Sequence, residues 1–266
     1  MQTQDDGFAK AAQVVTSQVI TTDTNGLIAG EVQVPVADGH IPAYRAMPDA
    51  PGPHPVVLVV QEIFGVHEHI RDVCRRLAKQ GYFAIAPDLY VRQGDVSQLA
   101  DIPEIFSKVV LKVPDAQVCA DLDAALAWAR ASGHASADRA GLIGFCWGGR
   151  VAWVYAAHNP KLSAAVSYYG LLEGMKSEIR PSDPLDLATG LKVPVLGLYA
   201  GHDDYVQPAA IDCMRAGLMR SGSGSEIVVF PNVDHGFNAD YRPTYDESAA
   251  RYAWKLAGDW FRDHGV

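Results

Sequence analysis

Basic residues are in the minority in this sequence. Its 266 residues include 22 Lys and Arg against 31 Asp and Glu, which gives a formal net charge of -9. A nucleic-acid-binding protein ordinarily carries a basic surface, so this balance argues against nucleic acid as a partner. No apolar run approaches the roughly 18 residues that would indicate a membrane-spanning helix. With 48% apolar and 20% charged residues, the composition is that of a globular protein and excludes intrinsic disorder.

Cysteine is scarce and follows no pattern. The four cysteines show no C-x-x-C spacing of a zinc or redox site and are too few for a disulfide framework: Cys74, Cys119, Cys146 and Cys213. Free thiols fit a reducing compartment, and the N-terminus lacks the basic and apolar regions of a signal peptide. We therefore expect a cytoplasmic protein.

Short apolar runs alternate with helical patterns along most of the chain. The runs at 56–60, 83–86, 141–145, 164–168, 195–199 and 227–230 are typical of strands in a parallel sheet that is covered on both faces. Helical spacing of apolar residues appears between them, and a last helix is predicted over 244–261. A hairpin of strands 31–36 and 41–47 precedes the alternation. The sequence predicts an N-terminal extension, residues 1–28, and one α/β domain, residues 29–266, with a mostly parallel central sheet and helices on both faces.

The motif that carries chemistry is G-x-C-x-G at the end of the predicted strand 141–145. Gly144, Cys146 and Gly148 form the nucleophile-elbow pattern with Cys in place of Ser. The turn must be so sharp that side chains at the flanking positions would collide. It would lift the sulfur to a helix N-terminus, where backbone N–H groups and the helix dipole favour a thiolate. Taken alone, the motif is equally compatible with a cysteine packed beside a helix start.

An acid and a histidine follow at two later strand ends. Asp203 comes after the run 195–199, and His235 comes after the run 227–230. Open α/β sheets build their sites at the carboxyl ends of the strands, and the order nucleophile, acid, base is that of α/β-hydrolases. His235 would move the proton and Asp203 would fix its tautomer. Asp204 is the alternative acid, but Asp203 lies nearer the strand end.

A further carboxylate directly follows a buried strand. Glu62 comes just after the run 56–60, at the predicted sheet edge that also holds the elbow. A carboxyl group buried there without a cation would become protonated or would seek a donor, for which a thiol is a candidate. The alternative is a structural ion pair, with Arg71 or Arg150 as the partner.

Several blocks of the sequence resemble those of the dienelactone hydrolase family, the carboxymethylenebutenolidases. The resemblance covers about residues 30–264, and the blocks occur in the family's order. A Glu-Ile-Phe-Gly block paired with a Cys elbow is not a general feature of α/β-hydrolases. The blocks are Gln61-Glu62-Ile63-Phe64-Gly65, Ala86-Pro87-Asp88-Leu89-Tyr90, Gly144-Phe145-Cys146-Trp147-Gly148-Gly149, Tyr199-Ala200-Gly201-His202-Asp203 and His235-Gly236-Phe237.

The resemblance implies an α/β-hydrolase fold and a reaction. Its triad would be Cys146, His235 and Asp203. Glu62 would contact the resting thiol and help to deprotonate it when substrate arrives. The backbone N–H groups of Ile63 and Trp147 would form the oxyanion hole. The substrate would be a small lactone or ester, cleaved through a thioester intermediate. The resemblance implies no metal and no organic cofactor. We expect the protein to be a monomer or homodimer.

Two departures from the family pattern concern the substrate. Well-known members carry an Arg where this chain has Ala239, and a smaller aliphatic residue where it has Trp147. Candidate substrate-binding residues are Arg92, Arg242, Tyr90 and His67, although either arginine could equally form a surface ion pair. A thioesterase or general carboxylesterase is the alternative within the fold. A redox-responsive or ligand-binding protein that uses the Cys146 pocket without turnover is the alternative of another class.

Overall fold

An eight-stranded sheet crosses the molecule in the computed structural model, which describes residues 8–15 and 19–266. Its strands are β1 (Leu27–Val36), β2 (Gly39–Pro48), β3 (His54–Val60), β4 (Phe83–Pro87), β5 (Ala135–Phe145), β6 (Ala164–Tyr168), β7 (Val195–His202) and β8 (Glu226–Asp234). Their order across the sheet is β1-β2-β4-β3-β5-β6-β7-β8. The β1–β2 and β2–β4 pairs are antiparallel, and every later pair is parallel. The predicted mostly parallel sheet is confirmed.

Helices cover both faces of this sheet, as predicted. They are α1 (Glu68–Lys79), α2 (Ile102–Lys108), α3 (Asp115–Ala131), α4 (Trp147–His158), α5 (Pro184–Leu187), α6 (Pro208–Ser221) and α7 (Glu247–Asp263). Side chains of β3 alternate between two buried clusters: Leu58 belongs to the cluster that includes apolar residues of α3, α4 and α6, whereas Val57 and Val59 belong to the one that includes those of α1 and α7. This alternation explains why the central strands are apolar throughout rather than at every second residue.

The predicted elements differ from the observed ones mainly at their ends. The last helix begins at Glu247 rather than at 244, because the Asp246 side chain caps it by accepting a hydrogen bond from the Ala249 N–H at 2.8 Å. Two helices, α2 and α5, were not predicted. They span 7 and 4 residues, which is too short for a helical repeat to be recognised.

Part of the predicted N-terminal extension forms backbone hydrogen bonds with the loops that follow β4 and β8. Residues 1–7 and 16–18 lie outside the described residues. Lys10 N–H donates to the Ser97 carbonyl at 2.8 Å, and Val15 N–H donates to the Tyr241 carbonyl at 2.7 Å. The first strand begins at Leu27, two residues before the predicted domain start. Within the described ranges, no helix is long and apolar enough to cross a membrane.

Candidate active site

Cys146 lies on a strained turn between β5 and α4. Its backbone has φ 55° and ψ -112°, a conformation that L-residues rarely adopt and that costs on the order of 1–3 kcal/mol. The Cys146 N–H donates to the Tyr168 carbonyl at 3.0 Å, and its carbonyl accepts from the Arg150 N–H at 3.1 Å. These bonds hold the turn between two neighbouring strands and the first turn of α4. The side chain is half-buried and lines a pocket.

The flanking glycines permit this turn. A Cβ at Gly144 would lie 2.0 Å from the carbonyl oxygen of Gly148, and a Cβ at Gly148 would lie 2.4 Å from the carbonyl oxygen of Val60. Both distances are far inside van der Waals contact. The start of α4 can therefore approach β3 and β5 only where side chains are missing.

His235 and Asp203 form a hydrogen-bonded pair beside the turn. His235 Nδ1 lies 2.9 Å from Asp203 Oδ2. The other carboxylate oxygen, Oδ1, accepts hydrogen bonds from the backbone N–H groups of Tyr205 at 2.8 Å and Val206 at 3.2 Å. Asp203 is buried, whereas Asp204 is exposed. With Nδ1 facing the carboxylate, the second ring nitrogen of His235 is left for Cys146.

The electrostatics of this pair favour a charged imidazole. Burial lowers the pKa of His235, but the charge of Cys146 and the hydrogen bond with Asp203 outweigh burial and raise it from 6.5 to about 10. The ring is packed between those of Tyr169 and Tyr205, each with its centroid 4.9 Å away. The imidazole is thus held in place both by a hydrogen bond and by its aromatic neighbours.

Glu62 is buried, and its partner is a hydroxyl group that the sequence analysis did not identify. The Tyr241 O–H donates to Glu62 Oε2 at 2.6 Å. His67 Nε2 lies 3.7 Å from the same oxygen, which is too long for a hydrogen bond. No hydrogen bond joins Glu62 to Cys146 among the described residues, although both line one pocket. The implied contact between Glu62 and the thiol is therefore not a hydrogen bond in this structure.

The charge state of Glu62 is set by its cationic and polar neighbours. Burial raises the pKa of its carboxyl group, but the neighbouring His67, His69 and Arg242 outweigh burial and bring it below the ordinary value. Burial also lowers the pKa of His67, which favours a neutral ring.

The structural ion pair suggested for Glu62 is not formed. Arg71 pairs with Glu31 at 2.8 Å. Arg150 is fully buried and binds both carboxylate oxygens of Asp115, at 2.7 and 2.8 Å. Both arginines considered as partners are therefore engaged elsewhere.

Two backbone amides next to Glu62 and Cys146 in the sequence lack an acceptor in their own elements. Trp147 is the first residue of α4, so its N–H has no acceptor within the helix. The Ile63 N–H has no hydrogen-bond acceptor anywhere in the described part of the chain. Ile63 and Cys146 line the same pocket. These are the two amides that the family resemblance assigns to an oxyanion hole.

The pocket at Cys146 is small, and a cationic side chain, that of Arg242, lines it. Its volume is about 40 Å³, and its walls are Glu62, Ile63, Phe64, Ile102, Phe106, Cys146, Leu171, Tyr205, His235 and Arg242. The Arg242 guanidinium lies over the Phe64 ring, 5.8 Å from its centroid. Within residues 8–15 and 19–266, no carboxylate lies within 4.0 Å of it. Burial lowers the pKa of Arg242, but the charge of Glu62 outweighs burial, and the guanidinium stays charged.

The other candidate substrate-binding residues lie elsewhere. Arg92 binds Asp38 at 2.6 Å and Asp121 at 2.7 Å, and it does not line the Cys146 pocket. Tyr90 and His67 line a second cavity, of about 400 Å³, which shares Phe64 with the Cys146 pocket. The structure therefore brings only Arg242 of this group into the pocket.

The side chain of Trp147 lies outside the pocket. Its indole is buried in the core and packs on the Tyr90 ring, with centroids 4.9 Å apart. The larger residue at this position thus does not narrow the pocket.

The site also contains residues that the sequence analysis did not identify. Ile102 and Phe106 of α2 line the pocket, and Tyr241, from the loop after β8, binds Glu62 behind it. No repeat or motif marks them in the sequence; only the position of Tyr241, six residues after His235, hints at a role. The described residues contain no group of three or more His, Cys, Asp or Glu arranged to hold a metal ion.

Comparisons with known proteins find similarity along nearly the whole chain. The family model described as "Dienelactone hydrolase family" matches residues 41–265. A Methylorubrum extorquens protein named "Putative carboxymethylenebutenolidase" is 58% identical over 261 residues, which are 98% of this chain and 90% of its own. A protein of the same name from Escherichia coli K12 is 49% identical over 99% of this chain and 97% of its own. The crystal structure titled "Putative Dienelactone Hydrolase" from Klebsiella pneumoniae is 53% identical, with a TM-score of 0.86 over 89% of this chain and 98% of its own.

Proposed function

Because this chain belongs to the dienelactone hydrolase family, whose members are hydrolases of lactones and esters, we propose that Cys146 attacks the substrate as a thiolate. The observation that carries the proposal is that three side chains meet at one place. Cys146 and His235 line the same pocket, Cys146 raises the pKa of His235, and His235 Nδ1 lies 2.9 Å from Asp203 Oδ2. A nucleophile, a base and an orienting acid in this order are what acyl transfer requires.

In the first half of the reaction, the substrate acylates the enzyme. The thiolate sulfur of Cys146 forms a bond to the carbonyl carbon, and the carbonyl oxygen takes up the electron pair as an oxyanion. The N–H groups of Ile63 and Trp147 donate to that oxygen. When the carbon–oxygen bond of the ester or lactone breaks, the imidazolium of His235 gives its proton to the leaving oxygen. The products of this half are a thioester on Cys146 and an alcohol or enol, which in a lactone stays attached to the acyl group.

In the second half, water releases the acid. Neutral His235 takes a proton from a water molecule, whose oxygen attacks the thioester carbon. The carbon–sulfur bond breaks, the thiolate is regenerated, and the product leaves as a carboxylic acid. Asp203 stabilises the imidazolium in both halves.

Before either half begins, Glu62 accepts the thiol proton of the resting enzyme when substrate enters, so that attack begins from a thiolate.

We further propose that the substrate is a small ester or lactone that carries a carboxylate. A pocket of about 40 Å³ favours a small acyl group. Arg242 supplies a positive charge that has no carboxylate within 4.0 Å among the described residues and that lines the same pocket as Cys146. A guanidinium and a carboxylate form strong, charge-assisted hydrogen bonds, which would orient the reacting carbonyl.

The thioester is the direct test of this mechanism. Mixing the enzyme with p-nitrophenyl acetate and quenching with acid at early times should leave an acetyl group on the peptide that contains Cys146, detected by mass spectrometry. Acylation of another residue would refute the proposed nucleophile. Release of p-nitrophenol by enzyme whose Cys146 has been blocked with iodoacetamide, with no acyl-enzyme at the earliest times, would refute it as well.

Arg242→Gln should change substrate preference rather than chemistry. We expect kcat/KM for a monoester of a dicarboxylic acid to fall about tenfold or more, since a charge-assisted hydrogen bond is lost. For the neutral ester with the same leaving group, we expect a change of less than about threefold. The measurement is the ratio of the two kcat/KM values in each enzyme.

Arg92→Gln is the matched control for that experiment. Its guanidinium is already held by Asp38 and Asp121 and lies outside the Cys146 pocket. The ratio should therefore stay at the wild-type value. Equal losses for acidic and neutral esters in Arg242→Gln would contradict a carboxylate-binding role.

We also propose that the enzyme works in the cytoplasm. Its four cysteines are unpaired, as fits a reducing compartment. Recovery of the native protein in the periplasmic or secreted fraction of its source cells would contradict this.

A further inference from the structure

The carboxylate of Glu62 is held by one hydrogen bond whose donor is fixed. Tyr241 and Glu62 are both almost fully buried, with 0% and 1% of their surfaces exposed. The Tyr241 O–H donates to Oε2 at 2.6 Å, while Oε1 is buried without a hydrogen-bond partner among the described residues. A buried carboxylate oxygen without a partner is costly and calls for an explanation.

We propose that Tyr241 is a positioning residue for Glu62. By binding Oε2, its hydroxyl fixes the carboxylate rotamer and leaves Oε1 as the oxygen that takes the thiol proton. This inference rests on the proposed function, because it assumes that Cys146 is the nucleophile and that Glu62 helps to deprotonate it. Tyr241 itself touches neither the substrate nor the sulfur in this role.

The other polar neighbours of Glu62 do not fix its position. His67 is 3.7 Å from Oε2, and its ring nitrogens have no hydrogen-bond partner in the described part of the chain. Arg242 and His69 act on Glu62 through their charge, and in the described part of the chain neither forms a hydrogen bond with it. Charge at a distance favours the ionised form without setting a direction. The directional contact therefore comes from Tyr241.

The surroundings of Tyr241 keep its hydroxyl in place. The preceding residue, Asp240, is buried and binds His69 at 3.2 Å and also the guanidinium of Arg76. On the other side, the Tyr241 carbonyl accepts from the Val15 N–H at 2.7 Å. Because its backbone is already held by these contacts, the Tyr241 side chain loses little further conformational entropy when its hydroxyl binds Glu62.

Ring contacts add to this anchoring. The centroid of the Tyr241 ring lies 5.3 Å from that of Phe8 and 5.1 Å from those of His67 and His69. Phe8 and Val15 belong to the N-terminal extension, so that segment takes part in holding the residue that holds Glu62. This gives the described part of the extension a place in the site.

Tyr241→Phe tests the inference, because it removes the hydroxyl and keeps the ring. We expect kcat for p-nitrophenyl acetate to fall about tenfold, the size of a lost hydrogen bond to a charged group, with KM changed by less than about twofold. Tyr155→Phe is the matched control. Its buried ring also donates a hydroxyl hydrogen bond to a carboxylate, that of Asp123 at 2.8 Å, near the far end of α4. It should lower the melting temperature by a similar amount and leave kcat unchanged.

A double-mutant cycle separates positioning from general stabilisation. If Tyr241 acts through Glu62, then Tyr241→Phe should have no further effect on kcat, within about twofold, in the Glu62→Gln enzyme. All assays are run well below the lowest melting temperature, so that folding does not enter the comparison. A purely structural hydroxyl would lower kcat by the same factor in both backgrounds.

Three results would overturn the inference: full kcat in Tyr241→Phe, equal losses in both backgrounds, or full activity in Glu62→Gln alongside a slow Tyr241→Phe enzyme. Failure of the proposed function looks different, since Cys146→Ala would then remain active whatever Tyr241 does. The two ideas can thus fail separately.

Discussion

Cys146→Ala should abolish ester hydrolysis while the protein stays folded. We expect kcat/KM for p-nitrophenyl acetate to fall about ten-thousand-fold, since the proposed nucleophile is removed and only oxyanion binding and positioning would remain. Stability should change little, because Ala has the same Cβ as Cys at the strained φ of 55°. The measurements are the steady-state rate with the activated ester and the melting temperature.

Cys213→Ala is the control for this loss. Cys213 is an exposed free cysteine on α6. Its replacement by Ala shows whether loss of an ordinary surface thiol changes the rate of ester hydrolysis. It should retain the full rate. If Cys146→Ala also kept its rate, hydrolysis would have to proceed through another group. A thiol that oxidises rapidly in an enzyme with no turnover above that of Cys146→Ala would favour the redox-responsive alternative.

The positions that could be predicted from sequence are those that the sheet itself fixes. Cys146, Asp203 and Glu62 each follow directly on, or just beyond, an apolar strand, and parallel strands bring their carboxyl ends to one edge. Their convergence then depends only on strand order and direction, which the alternation of strands and helices determines. Nearness to the strand end also distinguishes Asp203 from Asp204, since β7 ends at His202.

The remaining features depend on how loops fold onto one another. Tyr241 reaches Glu62 across 179 positions of sequence, from a loop whose path is set by the ion pairs of Asp240 rather than by any repeat. Arg92 and Arg242 look alike as isolated cations, yet one is held by two carboxylates and the other lines the pocket. Periodicity carries no information about such pairings, because it reports only which face of an element is buried.

Gly144→Ala should strongly destabilise the fold. Gly144 lies in the middle of the sheet, paired with Val60 of β3 and Ser167 of β6. Its new Cβ would stand 2.0 Å from the Gly148 carbonyl oxygen, a backbone atom at the start of α4 that cannot rotate away. We expect a loss of more than about 4 kcal/mol in the free energy of unfolding, or no folded protein at all. Urea unfolding measures it.

Gly190→Ala is the matched control, because a Cβ at Gly190 would meet no heavy atom within 4 Å. Its effect should stay within about 1 kcal/mol and could be stabilising, since Ala restricts the unfolded chain. Wild-type stability in Gly144→Ala would mean that α4 can move away from β5. Such a shift would carry Cys146 with it, because Cys146 lies between Gly144 and Gly148. The same methyl group therefore tests the geometry of the site: a folded Gly144→Ala enzyme that kept full activity would refute the requirement for this turn.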